Sequence, residues 1–339
     1  MPGVPRFPKK GFVLVFALWV LAFLTVLAVS VASGIRQKII MVRKLDERNR
    51  AQHLLESGAS LAKVYIRQEM AKSEFAYTPL LKNYLHDNPL VFDQILLGDD
   101  RMQIGYTLYD NGSAVERFGV VDEERKLNLN FINDSTLQRL LERVLVGINA
   151  GDVKRLTRSI LDWRQEGTSE ATGFFSDDYY DNLQYPYRKK NANYETMDEL
   201  LLVKGVSKDV YERIGPYVTV YGDGKININT VSGIVLSALG LEDVLVEKIL
   251  AVRRGKDGVE ATLDDHVFIN TFDVAAEVNA VLRLDLHEIR AIDQLNLQGI
   301  LTGNSYYFSM NILAQTPLLK NLRAVFSLKS NRFLYWREK

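Results

Sequence analysis

The stretch KKGFVLVFALWVLAFLTVLAVSVASGIRQK, residues 9–38, decides how the rest of the chain is read. It opens on Lys9 and Lys10, passes Gly11, and runs from Phe12 to Ile35 without a charged side chain. At a rise of about 1.5 Å per residue, a helix over this run spans a hydrocarbon layer of about 30 Å. An ordinary secretory signal carries its cleavage site after the apolar region, at small residues. Here a short basic leader, with Arg6 further upstream, ends in Gly directly before the apolar run. A cut after Gly11 would therefore leave the apolar helix on the mature chain. Basic residues stand on both flanks, Lys9 and Lys10 before and Arg36 and Lys38 after, so counting charges barely orients the span. A plain membrane anchor fits these residue types as well as a helix that assembles with others.

The helical pattern continues beyond the apolar run. Ala51, Leu54, Leu55, Gly58, Leu61, Ala62 and Tyr65 recur at three- and four-residue spacing and make one apolar stripe. No proline occurs between Pro8 and Pro79. One helix from Phe12 to Glu69 would be about 87 Å long; two helices with a break near Gly34 are the alternative. The stripe predicts a face that packs against helices of partner chains, since it would otherwise face water.

The chain has 339 residues, with 42 Lys plus Arg against 42 Asp plus Glu. That length supports a sizeable core and more than one domain. Zero net charge argues against a dedicated nucleic-acid binder. There is no cysteine, so disulfides and thiolate metal sites are excluded.

After the helix, the pattern turns strand-like at Gln103–Tyr109 and Ala114–Val121, separated by Asp110-Asn111-Gly112, a hairpin signal. Strands return at the end: Tyr306–Leu313, Leu322–Leu328 and Phe333–Trp336. Between them lies a long helical region, including Leu137–Leu145 and a helix ending at Trp163. Strands split by helices predict an α+β fold: a long N-terminal helix on an antiparallel sheet, with a large inserted α-helical domain. A partial repeat marks the insert. Lys126-Leu127-Asn128-Leu129-Asn130 is echoed by Lys225-Ile226-Asn227-Ile228-Asn229, and a leucine-rich helix follows each. Alternating apolar residues and Asn suit a short strand whose amides bond nearby turn backbone.

These features together resemble the K-type minor pseudopilins of type II secretion systems. The resemblance rests on the leader Lys10-Gly11-Phe12, the segment Val121 to Asn130, Ile160-Leu161-Asp162-Trp163, Ile226 to Thr230, and the closing Tyr335-Trp336-Arg337-Glu338. It implies a pilin-like layout: leader 1–11, transmembrane helix 12–35, periplasmic helix 36–70, and a pilin-like domain from 71–130 and 301–339. It further implies an α-helical insert over 131–222, with 223–300 as a second helical segment, in the insert or returning to the pilin domain. It implies cleavage after Gly11 by a prepilin peptidase and methylation of Phe12. The protein would be a single-pass bacterial inner-membrane protein, N-terminus cytoplasmic and body periplasmic. Major pilins carry a Glu at the fifth mature position. Here Phe16 stands there, as in K-type subunits, so the usual pairing with a neighbour's amine would not form. The implied partners are the I- and J-type minor pseudopilins at the pseudopilus tip and the inner-membrane assembly platform. The implied task is to initiate pseudopilus assembly for export of folded proteins. Some K-type subunits bind calcium near the Asp-Trp motif, and Asp162, Glu166, Asp177, Asp178 and Asp181 are the oxygens this chain offers. The family's acidic run is reduced here to Arg164-Gln165-Glu166-Gly167.

Other chemistry is poorly represented. His53, His86, His266 and His287 are scattered, and no metalloprotease, nucleophile-elbow or phosphate-loop motif occurs. A minor pilin of a type IV pilus is the near alternative. A membrane-anchored helix-hairpin-helix DNA-binding protein is the distant one, suggested by the turns at Leu202–Val206 and Leu239–Leu241. From Thr196 to Gly258 there are eight Lys/Arg and nine Asp/Glu, however, which does not suit phosphate.

Overall fold

The structure is a computed structural model and describes residues 10–73, 86–110, 113–165, 177–260, 262 and 264–339. Helix α1 (Lys10–Ser73) is continuous through Gly34. Nothing in it breaks the ladder: it has no proline, and Gly34 alone costs about 1 kcal/mol against Ala. A short helix α2 (Pro89–Phe92) follows, with Pro at its first turn, where no donor is needed.

A seven-stranded antiparallel sheet lies across the second half of α1. It contains β1 (Ile95–Leu97), β2 (Asp100–Asp110), β3 (Ser113–Phe118) and β4 (Val121–Asp122). It is completed by the closing strands β9 (Tyr307–Gln315), β10 (Leu319–Ser327) and β11 (Arg332–Glu338). The order is β1-β2-β9-β10-β11, with β3 on β2 and β4 on β9. The hairpin expected at Asp110-Asn111-Gly112 joins β2 and β3; Asn111 and Gly112 themselves lie outside the described residues.

Strand alternation puts Met102, Ile104, Phe308, Met310, Ile312, Ala314, Leu322, Ala324 and Phe326 on one buried face. Ala51, Leu54, Leu55, Ala59, Ala62 and Ile66 of α1 fill that face. Gly58 sets the approach: a Cβ there would meet Ile312 Cγ2 at 2.8 Å. The stripe is therefore the core of the molecule's own sheet, and the expectation that it packs on partner helices is corrected. Periodicity reports that a face is apolar, not what covers it. The exposed apolar part of α1 lies earlier, from Phe12 to Leu45.

The helical block is a second core built from two copies of one arrangement. In the first, β5 (Leu127–Asn128) leads to α3 (Asp134–Val144) and α4 (Ala150–Arg164). The chain returns through α5 (Asp177–Asp181), a 3-10 helix Met197–Leu202 and α6 (Lys208–Ile214) to β6 (Val218–Thr219). In the second, β7 (Ile226–Asn227) leads to α7 (Gly233–Ala238) and α8 (Asp243–Arg253). It returns through α9 (Val274–Val281) and α10 (Leu286–Leu297) to β8 (Leu301–Thr302). β5 pairs with β6, and β7 with β8, both in parallel. Residues 223–300 thus share the core of the first copy. Val325, on the outer face of β10, joins that core and ties the block to the sheet.

Candidate functional site

Three places on this frame bear on function: the free end of α1, the junction between sheet and block, and the Asp-Trp turn. The α1 helix is bare at its start. Phe12 and Phe16 are 78% and 62% exposed. The span has a mean hydropathy of 2.9 over its most apolar window, long and apolar enough to cross a membrane. The first carboxylate along α1 is Asp46. No acidic side chain of the helix's apolar half can thus meet a neighbour's amine, and none is buried in lipid at a cost.

The junction is a buried carboxylate cluster at the end of β4. Asp122 caps the short 3-10 turn Glu123–Arg125 by accepting from Glu124 N at 2.8 Å. Its other oxygen accepts from Asn227 Nδ2 at 3.0 Å, Thr230 Oγ1 at 2.5 Å and Ser305 Oγ at 2.5 Å. Glu123 accepts from Lys126 Nζ at 2.6 Å, Ser309 Oγ and Thr219 Oγ1. Burial would raise the Glu123 carboxyl, but Lys126 and these hydroxyls hold it below the ordinary range. Glu124 differs. Burial, with Asp122 beside it, outweighs its one bond from Tyr306 N and pushes it up to about 7. The cluster reaches β6, β7, the end of β8 and β9 from three consecutive side chains.

The repeated asparagines do equivalent work in both copies. Asn128 Oδ1 accepts from Asn130 N at 2.9 Å, and Asn227 Oδ1 from Asn229 N at 3.0 Å. Asn130 exchanges bonds with Tyr194 N and O; Asn229 does so with Phe268 N and O. Arg164 donates to Leu129 O and Ile132 O, and Arg253 to Ile228 O and Val231 O. The amides of Asn128, Asn130 and Asn229 donate to loop backbone, and that of Asn227 to the side chains of Asp122 and Ser305, so each is satisfied, the condition for burying it at all. The arginines have no common motif in sequence, which shows Arg164 only as part of the run after Asp-Trp and does not single out Arg253.

At the Asp-Trp turn, Trp163 stands edge-on to Tyr180 and Tyr187, at centroid distances of 5.6 and 6.3 Å. Tyr187 donates to Leu202 O at 2.7 Å, and Tyr180 accepts from Lys204 N at 3.1 Å. The turn at Leu202–Val206 is thereby held by aromatic packing. Asp162 is buried and accepts from Lys189 Nζ at 2.9 Å. A side-chain ammonium thus sits where a calcium ion bound to Asp162 would carry its charge, and that residue does not fit a calcium ligand. Asp181 is exposed. Glu166 and the side chains of Asp177 and Asp178 lie outside the described residues. Among the described residues, no three His, Asp or Glu side chains gather as a metal site.

A family model described as type II secretion system (T2SS), protein K, matches residues 123–223, from the carboxylate cluster to just past β6. Type II secretion system protein K of Aeromonas hydrophila is 33% identical over 113 residues, 30% of this chain and 34% of that protein. That of Pectobacterium carotovorum is 29% identical over 140 residues, 37% of this chain and 42% of that protein. Over this part the chain is similar to protein K of type II secretion systems. Against these two curated protein K relatives, the matched part spans less than half of their length. The match in fold extends further than the match in sequence. A chain from the crystal structure of the GspK-GspI-GspJ complex of enterotoxigenic Escherichia coli superposes with a TM-score of 0.63 at 17% identity. The superposition covers 88% of this chain and 99% of that one. The apolar start of α1 fits a membrane anchor.

Proposed function

We propose that this protein is the K-type minor pseudopilin of a type II secretion pseudopilus, placed at its tip with I- and J-type partners, where it initiates assembly. The observation that carries this reading is the bare first half of α1. It is apolar, has no carboxylate before Asp46, and leads into a body that covers only the helix's second half. A repeating filament stacks identical contacts. A subunit with Phe16 in place of a pairing carboxylate, and with a helical block beside its sheet, suits a position with one free side. The likeness to a chain solved within a GspK-GspI-GspJ complex supports the same partners here.

In this reading a prepilin peptidase cuts between Gly11 and Phe12, Phe12 is methylated, and the assembly platform receives the chain with its N-terminus cytoplasmic. Mass spectrometry of the mature N-terminus tests the cut; a retained leader, or a cut beyond Ser33, excludes it. Co-purification with I- and J-type subunits, with labelling of assembled filaments, tests the position. Label at one end supports the tip, and regular label along the shaft overturns it.

A further inference from the structure

The sheet opens on its outer face. β2 pairs with β9 only from Arg101 to Ile104, and β4 rejoins β9 at Ser309. From Gly105 onward β2 leaves with β3. This leaves a groove of about 440 Å³ between the β2–β3 hairpin and α6, with Tyr106, Thr107, Asn311 and Tyr211 in its wall. It adjoins a second hollow of about 380 Å³ over β9–β11, with Tyr106, Thr107, Asn311 and Arg323 lining both. The result is one trough along the sheet.

Its charge is unbalanced. Arg125, Lys126 and Arg323 all line the first part. Lys126 is committed to Glu123. Arg125 and Arg323 have no carboxylate partner among the described residues. The cross-strand neighbours of Arg323 are Arg337 and Asn311, neither of them acidic. Asp198 of the helical block is already taken by Arg337, Tyr335 at 2.9 Å and Tyr211 at 3.2 Å. Two half-buried guanidinium groups thus line one trough without an ion pair among the described residues; Glu212 stands in the same wall, and Arg125 also borders a small pocket with Asp87 and Glu260. Arg323 and Arg125 also depress the ammonium of Lys126, after burial as the larger cause.

We infer that this trough binds an extended, carboxylate-bearing segment of another protein chain, with Arg125 and Arg323 as its two anchors. The guanidinium fork matches a carboxylate in two parallel hydrogen bonds. The trough's length along the strands suits a peptide rather than a single anion. Glu116 and Glu212 also line it. A polymer charged at every residue, such as single-stranded nucleic acid, would meet them, whereas spaced carboxylates would not. The inference goes beyond the assembly role and does not depend on it, because binding is measured on the isolated protein.

The test uses the full chain in detergent micelles and a fluorescent eight-residue peptide of alternating Glu and Ala, followed by anisotropy. The expected result is saturable binding that weakens with salt. R125A/R323A should weaken it at least tenfold, and N311W, which fills the groove without changing charge, should do the same. R332A, on the exposed end of β11, should leave affinity unchanged. A fold check by circular dichroism accompanies each variant; should the double variant misfold, N311W and the single variants R125A and R323A decide. No binding, equal binding by the groove variants and wild type, or tighter binding of an oligothymidine than of the peptide overturns the inference. Loss of co-purification with I- and J-type subunits while peptide binding persists would instead count against the assembly reading alone.

Discussion

Asn227 donates its Nδ2–H to Asp122 Oδ2 at 3.0 Å across 105 positions of chain. The bond joins the second copy of the helical arrangement directly to the end of β4 in the sheet. The first copy is joined through the next residue, since Glu123 accepts from Thr219 at the end of β6. Adjacent acids therefore fasten both copies to the sheet, and their removal should loosen the whole block.

Asp122→Ala should cost at least about 3 kcal/mol, because three side-chain donors and the Glu124 amide lose a buried acceptor. Denaturant unfolding of the full chain in micelles, followed by near-ultraviolet circular dichroism, measures it. A loss below about 1 kcal/mol would mean that the cluster is not the fastening.

Glu124 makes stability depend on pH. Its carboxyl is raised to about 7 in the folded state from an ordinary carboxylate value when unfolded. Between those values the folded protein holds a proton that the unfolded chain releases. This contribution is therefore complete below the ordinary value and is lost as pH rises through about 7. Its ceiling is about 3 kcal/mol, at 1.36 kcal/mol per unit. Glu124→Gln should flatten the melting temperature between pH 5 and 8 (roughly the window set by the two states) and stabilise the protein at the upper end. An unchanged pH profile would refute the assignment.

The Asp162–Lys189 pair is buried on both sides. Lys189→Met should cost about 3–5 kcal/mol, the usual loss when one member of a buried pair is removed. Because an ammonium already balances Asp162, a chelator should leave the melting temperature of the wild type unchanged. A fall on chelation, reversed by added calcium, would show that the loop holds the ion through other residues.

The bare and the covered parts of α1 should respond differently to side-chain truncation. Leu55 is fully buried on the sheet, so Leu55→Ala should cost about 2–5 kcal/mol. Leu45 is 48% exposed, so Leu45→Ala should change stability by less than about 0.5 kcal/mol. Equal effects would mean that α1 does not rest on the sheet by this stripe.

Some of this was legible in the residues themselves. The α1 helix is a matter of local preference: a long run without proline, apolar and then amphipathic, has few other conformations. The closing strands were equally plain, since alternation shows wherever one face is buried. The Lys-Leu-Asn-Leu-Asn repeat could be seen because its bonds are local, each first Asn holding the amide two residues on.

What covers the Ala51 to Ile66 stripe, which cation faces Asp162, and which arginines stay unbalanced were decided only by the tertiary structure. Each depends on a residue far along the chain: Ile312 against Gly58, Lys189 against Asp162, Arg323 in the same groove as Arg125. Local sequence sets the conformation of the backbone because neighbouring dihedrals and hydrogen bonds act within a few residues. The partner of a buried face or charge is chosen by whichever distant segment removes water at least cost, and spacing along the chain does not encode that choice.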